Sequence, residues 1–425
     1  MKGWERSMFI SLNKMKGLII ELDSFSEEFD EKWDEIKSSI PILFLSDNKE
    51  RLLLVKEINS KFLTYEGTLT GLFKRRKNLL NVLRFLKIES YEVVVLSRNL
   101  ETLKYIQEMN VSTIHFSEES YIKFEFVGNL SDFIISNIGE VNQIISGNIV
   151  GYFSEAAATL VYNASKLEFD GLVVVTKKVY KGIESIIVSG GRYFSTNDNR
   201  YPVHQLSQRI IRNKKYHHTQ VSLFSTIYNN LIRFIESQFG KVDALTRIPP
   251  RPLQPDRLIE CVNSICNIRM HIQDVSKSLK CIRDYKSQRF LNQEQRQLNV
   301  KGVFEVSKNF DNKHIVILDD VVTTGSTALE AANEFYKAGA KKVTILTLAI
   351  NQFKKSFNSH IPLTCQCGSE LIMRFNKKNN SAFFGCINYQ FCGSLGLDFI
   401  EGVQKYNNLN RVDLSEKFND QEWLF

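Results

Sequence analysis

Compact apolar runs separated by amphipathic stretches fill the first third of the chain. GLIIELD (17–23), PILFLSD (41–47) and YEVVVLS (91–97) each end on Asp or Ser. A strand covered on both faces has no polar side to alternate with, so such runs, spaced by helix-period segments, predict a parallel α/β unit over residues 15–150. A connecting α+β segment follows over 151–202. It opens on the helical pattern GYFSEAAATLVYNASKL, continues in two β-rich runs, DGLVVVTKK and ESIIVSG, and reaches the turn-rich SGGRYFSTNDNRYP. A second α/β block spans 203–352 and closes on the strand VTILTLAI. Residues 360–402 hold a cysteine cluster, and 403–425 read as a polar tail. The chain has no internal repeat and no low-complexity tract.

Composition alters this picture little. With 425 residues and 43% hydrophobic content, the length suits two or three packed domains. The formal net charge of +8 fits a phosphate-rich partner without requiring one. No run approaches the roughly 18 apolar residues of a membrane span, so no membrane partner is expected. The first residues lack a signal-peptide core, and Met15, just before the first strand, is an alternative start. The expected location is cytoplasmic. Of the seven cysteines, Cys261, Cys266 and Cys281 are scattered and read as buried thiols. The other four crowd together, which in such a compartment points to metal rather than disulfides.

The chemistry concentrates between His314 and Thr327. An apolar strand over 314–318 ends at Asp319 and Asp320, where open α/β sheets place their ligands. The small-residue loop Thr323, Thr324, Gly325, Ser326 and Thr327 follows. A helix comes next, with Ala328, Leu329, Ala332 and Phe335 on its apolar face and Gly339 at its end. Unpaired amides at a helix N-terminus suit a phosphate dianion, the hydroxyls add donors, and Gly325 lets the backbone approach. The two carboxylates can accept hydrogen bonds from neighbouring ribose hydroxyls. No Gly-Lys-Ser/Thr is present, so this is not a Walker loop.

This segment resembles the PRPP motif of type I phosphoribosyltransferases: four apolar residues, two acids, then V-x-T-T-G-x-T. The resemblance implies that Asp319 and Asp320 hold the ribose and that Thr323 through Thr327 hold the 5′-phosphate. The stretch 285–306 is similar to the flexible segment of ComF-type proteins at Gln288, Arg296, Asn299, Val300, Gly302 and Phe304. ALTRIPPRPL, at 244–253, resembles the family's pyrophosphate loop and implies a role there for Arg247 and Arg251. The family's R-G-F-N-Q stretch does not follow Pro255.

Near the C-terminus, Cys365, Cys367, Cys386 and Cys392 are spaced as two pairs around a hairpin-like interval. Two thiolate turns can close a tetrahedral structural zinc site, and a module this small needs the metal to fold. The pattern is similar to the zinc ribbon of type IA DNA topoisomerases, matching at Phe384, Gly385, Cys386, Tyr389 and Cys392. It departs where Thr364 stands in the usual first-cysteine position and Gln390 replaces a proline. The likeness implies single-stranded DNA binding; Phe375, Phe383, Phe384, Tyr389 and Phe391 can stack bases near Arg374, Lys377 and Lys378, while some of these aromatics form the ribbon's small core. It covers the ribbon alone and implies no strand passage.

GLIIELD also resembles a worn first motif of HAD phosphohydrolases. Glu21 stands in the nucleophile position, Asp23 is the second acid, Ser97 is the second-motif hydroxyl and Asp132 is a solitary metal-acid candidate. A longer nucleophile side chain misplaces its carboxylate, so a non-catalytic domain is expected. The sequence thus predicts an HAD-like (Rossmannoid) α/β domain, a type I phosphoribosyltransferase α/β domain and a small zinc ribbon. Two readings of function stand. One is a ComF-like phosphoribosyltransferase taking PRPP with Mg²⁺; the other is a non-enzymatic nucleotide sensor that accompanies DNA. A HAD-type phosphatase ranks below both. The acceptor base, the pathway and the oligomeric state are not legible.

Overall fold

The computed structural model describes residues 15–70, 74–149, 151–159, 171–216, 219–286, 293–353 and 360–414. The first unit is a six-stranded sheet of β1 (Gly17–Glu21), β2 (Ile42–Ser46), β3 (Leu63–Glu66), β4 (Val93–Ser97), β5 (Ser112–Phe116) and β6 (Phe133–Ile135). Every pairing is parallel and the order is β3-β2-β1-β4-β5-β6. The apolar runs are unbroken because both faces are covered. Leu18, Ile20, Phe44 and Leu96 pack around Trp33 on one side. Ile19, Leu45, Val93 and Val95 meet Leu79, Leu83 and Leu103 on the other.

Two helices of this unit start on the same Ser-x-Asn pattern. Ser46-Asp47-Asn48 precedes α1 (Lys49–Ile58), and Ser97-Arg98-Asn99 precedes a later helix, Leu100–Glu108. Asn48 and Asn99 each accept two first-turn amides, and each asparagine's own amide donates to the serine two residues before it.

The connecting segment is not a linker. Its helix, Phe153–Thr159, is followed by the hairpin β7 (Val174–Tyr180) and β8 (Ile183–Ser189), and β8 joins a second, seven-stranded sheet. That sheet also holds β9 (Arg192–Tyr193), β10 (Ala244–Arg247), β11 (Gln273–Asp274), β14 (His314–Val322) and β15 (Lys342–Asn351). Its order is β11-β10-β14-β15-β8-β7, with β9 beside β15. The two-stranded ladder of β12 (Leu279–Cys281) and β13 (Phe304–Val306) stands apart. Ile315 and Ile317 face one core, Val316 and Leu318 the other.

The cysteine module is a three-stranded antiparallel sheet, β16 (Leu371–Phe375), β17 (Ala382–Cys386) and β18 (Leu397–Asp398). The expected polar tail is partly structure. Helix Phe399–Leu409 buries Val403 and Tyr406 against the module, a two-residue apolar face too sparse to see in the sequence.

Buried charges join the units. Arg192 binds Glu155 through Nε (2.9 Å) and Nη2 (3.0 Å), and Asp132 of the first unit through Nη1 (2.8 Å). Arg209, on helix Gln205–Lys215, donates to the carbonyls of Ala158 and Asn380 (both 2.9 Å), and lies 4.1 Å from the Phe375 ring centre.

Candidate functional site

Strand β14 runs past its acids. Pairing with β15 continues through Val321↔Ala349 and Val322↔Ile350, two residues beyond the expected end, because Val322 is still buried. Asp319 and Asp320 therefore sit within the strand's last half, partly exposed at the carboxyl edge of the sheet. The Tyr228 hydroxyl donates to the Asp319 carbonyl (2.7 Å), and the Asp320 amide to the Asp319 carboxylate (2.8 Å). Burial and the adjoining Asp320 charge push the Asp319 carboxyl up to about 7, against the pull of Lys214 and Arg257. Lys214 Nζ is 3.0 Å from Asp320 Oδ1.

The loop beyond is built as a cradle. Thr323 is exposed, and the Thr324 and Ser326 hydroxyls lie 2.9 Å apart. Gly325 has φ +75° and caps the helix Ser326–Lys337; a Cβ there would be strained and would crowd Leu329 Cδ1 at 3.2 Å. Thr327 begins the first turn, so the loop amides and hydroxyls gather at the positive end of a twelve-residue helix. The underside is locked. Glu330 accepts from the Gly302 amide (2.7 Å), the Tyr180 hydroxyl (2.8 Å) and Lys181 (2.6 Å). Lys178 Nζ donates to the Thr324 carbonyl (2.6 Å).

The pyrophosphate-side arginines differ. Arg247 is buried and engaged by Asp256 (2.9 and 2.7 Å) and the Ser276 carbonyl (3.1 Å). These bonds tie it to the loop 248–256 and to the segment after β11. Arg251 is half-exposed, donates to the Tyr285 carbonyl (3.0 Å) and lies 5.8 Å from that ring's centre. In the 285–306 segment, Val300 and Phe304 are core, while Asn299 bridges the amide and carbonyl of Lys286. Arg296 is partly exposed, and Gln288 lies outside the described residues. Sequence reasoning missed Lys178, Lys214, Arg257, Tyr228 and Tyr285. Lys178, Lys214 and Tyr228 come from distant segments, while Arg257 and Tyr285 stand within or beside stretches the sequence singled out for other residues; the basic end of helix Gln205–Lys215 reads as ordinary dipole matching.

The four cysteines converge, their sulfurs lying within 4.8 Å of one another. Cys365 and Cys392 are 4.0 Å apart, Cys367 and Cys386 3.6 Å. A tetrahedron with metal–sulfur bonds of about 2.3 Å has edges of roughly 3.8 Å, so these spacings fit a metal ion such as zinc. The Asn388 amide donates to Cys386 Sγ (3.3 Å), and hydrogen bonds from Ser369 hold the Cys367 thiol down at about 6. The aromatic residues divide. Phe375 and Phe384 are core, Phe384 stacked on Phe399, which removes both from the expected base-stacking set. Phe383 is half-buried, while Tyr389 and Phe391 stand out, Phe391 at 90% exposure. Arg374 donates to the Cys386 carbonyl, and Lys377 and Lys378 are exposed at the hairpin tip.

In the first unit, Glu21 and Ser97 end the two strands, β1 and β4, between which the sheet order reverses. The Glu21 carboxylate is buried and accepts from the hydroxyls of Ser97 and Thr102 (3.1 Å to the latter), and burial raises its pKa. Asp23 accepts from the Ser46 hydroxyl and the Asp47 amide (3.1 Å). Asp132 is spent on Arg192, which corrects its reading as a metal acid.

Compared with known proteins, residues 270–377 match the family model "Phosphoribosyl transferase domain". The chain carries a phosphoribosyltransferase-type domain. Over 79 residues it is 37% identical to the DNA utilization protein YhgH of Escherichia coli strain K12, covering 19% of this chain and 35% of that protein. The protein of the same name from Salmonella typhi is 36% identical over 73 residues, covering 17% and 32%. The chain thus spans about a third of the length of these curated relatives, and the likeness supports a ComF-like phosphoribosyltransferase-type domain. A haloacid dehalogenase-like protein of unknown function from Agrobacterium tumefaciens overlaps 29% of this chain and 65% of its own. At 14% identity and a TM-score of 0.23 it carries no argument. Among the described residues, no helix is long and apolar enough to cross a membrane.

Proposed function

We propose that the phosphoribosyltransferase-type domain binds PRPP or a related ribose-phosphate, and that the cysteine module is a zinc ribbon linking this pocket to single-stranded DNA. The observation that carries the first part is the cradle itself. An acidic pair at the sheet's carboxyl edge adjoins a hydroxyl-lined loop on a helix N-terminus, with Lys214 beside Asp320. Asp319 and Asp320 accept from the ribose hydroxyls, and Thr323 to Thr327 hold the 5′-phosphate. Mg²⁺, when bound with PRPP, would neutralise the departing pyrophosphate. The name of the curated relatives supports a DNA-linked role. So do Tyr389 and Phe391, which are exposed and able to stack on bases.

Engagement of Arg247 by Asp256 favours a second reading, a pocket that senses a ribose-phosphate without transferring it. One experiment separates them. Incubate the protein with PRPP and Mg²⁺, with and without bases and single-stranded DNA, and measure pyrophosphate. Release lost in Asp319→Ala/Asp320→Ala means transfer; binding without release means sensing. Equal binding to wild type and that variant refutes the pocket.

A further inference from the structure

We infer that Lys178, carried by the edge hairpin and seated on Phe124 of the first unit, is a phosphate-positioning residue: it aims the Gly325 amide at the ligand's 5′-phosphate. The inference rests on the ribose-phosphate reading of the pocket and adds to it a residue from outside the matched phosphoribosyltransferase segment.

Lys178 Nζ donates to the Thr324 carbonyl at 2.6 Å. The peptide joining Thr324 to Gly325 is planar and trans, so its C=O and N–H point in opposite directions. A cation fixed on the carbonyl side therefore holds the Gly325 N–H on the other side. Gly325, left-handed at φ +75°, opens the helix, and the Thr324 and Ser326 hydroxyls that flank it lie 2.9 Å apart. The charge also acts through the peptide. An ammonium on the carbonyl oxygen withdraws electrons from the amide and makes its N–H a stronger donor to an anion.

Lys178 is held in place by the first unit. Its ammonium lies 3.8 Å from the centre of the Phe124 ring. The segment bearing that ring joins the hairpin edge through the Ile122 amide and the Val175 carbonyl (2.9 Å), and Tyr121 lies 4.6 Å from the neighbouring Lys177 Nζ. Burial depresses the Lys178 pKa to about 8, as expected for an ammonium withdrawn from water behind the loop. Strand β7 anchors the lysine further at Tyr180, whose hydroxyl donates to Glu330 of the same helix. The first unit, whose Glu21 is locked by Ser97 and Thr102, thus gains a task as one wall of the phosphate site.

The test is calorimetric titration of the full-length protein with ribose 5-phosphate, for wild type, Lys178→Met, Lys178→Arg and Phe124→Leu. It is paired with ¹⁵N-glycine spectra in which Gly325→Ala identifies the Gly325 amide. Loss of one charge-assisted hydrogen bond predicts about tenfold weaker binding in Lys178→Met, with Lys178→Arg recovering most of it and Phe124→Leu weakened less. In wild type the ligand should move the Gly325 amide proton downfield, and in Lys178→Met that shift should shrink. A merely structural lysine would not produce that signature. Unchanged affinity and an unchanged shift in Lys178→Met overturn the inference while leaving the pocket intact. Wild type that does not bind ribose 5-phosphate overturns the pocket reading and this inference together. Should Lys178→Met fail to fold, Lys178→Arg and Phe124→Leu decide: an unaltered Gly325 shift in Phe124→Leu counts against the inference.

Discussion

Replacing Arg192 with Met should weaken the joint between the two sheets. Arg192 and Glu155 are each 3% exposed, and the guanidinium holds both Glu155 oxygens and one oxygen of Asp132. Burial alone would push Glu155 up, but Arg192 and then His204 overcome it and hold the carboxyl near about 2, from an ordinary 4.5. That displacement corresponds to roughly 3 kcal/mol, at about 1.4 kcal/mol per pKa unit. Breaking a buried pair by removing one partner costs about 3–5 kcal/mol, in agreement. The sign with pH follows from linkage. In wild type the depressed carboxyl adds stability above about pH 4.5, lost as pH falls toward 2. In Arg192→Met the Glu155 carboxylate keeps the residue-192 amide (2.9 Å) and His204 (3.4 Å) but loses the guanidinium that offsets its burial, so the variant suffers most at neutral pH and recovers as the carboxyl takes a proton. Urea unfolding followed by far-UV circular dichroism at pH 7 and pH 4 measures both. A deficit of about 3–5 kcal/mol at pH 7 that narrows at pH 4 is expected. A deficit below about 1 kcal/mol, or one independent of pH, refutes the reasoning.

Two further outcomes follow from the sites. Because burial and Asp320 raise Asp319 toward about 7, its protonated form is favoured in the folded protein and its stabilising share fades as pH rises through 7. Ribose 5-phosphate affinity should rise over the same interval, and the midpoint should move to lower pH in Asp320→Asn; calorimetry showing identical profiles would contradict this. For the cysteine module, Cys386→Ser should abolish metal binding and expose 360–402 to proteolysis while both sheets persist. Metal retained at the wild-type level would sink the assignment of ligands.

How much of this was legible depends on whether a signal is local. The segment Asp319 to Thr327 is a continuous string whose chemistry and backbone demands coincide, so the residues alone place it at the junction of strand and helix, although the strand runs on to Val322. The cysteine pairs are equally local. What escaped is what the fold brings from afar. Lys178 precedes the loop by about 146 residues and reads as the polar edge of a hairpin. Lys214 and Arg209 lie on a helix whose basic end looks like dipole compensation. Residue type also left Phe375 and Phe384 undivided between core and ligand. An aromatic in a small module serves a core or a ligand equally well by type, and only burial separates them.

The joints between units share one physical device. Arg192 ties the first sheet to the second, and Arg209 ties the cysteine module to the helix that carries Lys214. An apolar contact tolerates sliding, because its energy follows area. A buried guanidinium does not, because each N–H displaced from its acceptor leaves an uncompensated polar group costing about 1–3 kcal/mol. Arg209 spends its donors on Ala158, Gln220 and Asn380, three residues from three separate segments. One docked arrangement satisfies them all. Lys377 and Lys378, at the hairpin tip, stand three and two residues before Arg209's partner Asn380. The Asp319–Thr327 segment is therefore held from outside itself, and a fragment limited to the matched segment 270–377 would lack Lys178, Lys214 and Phe124.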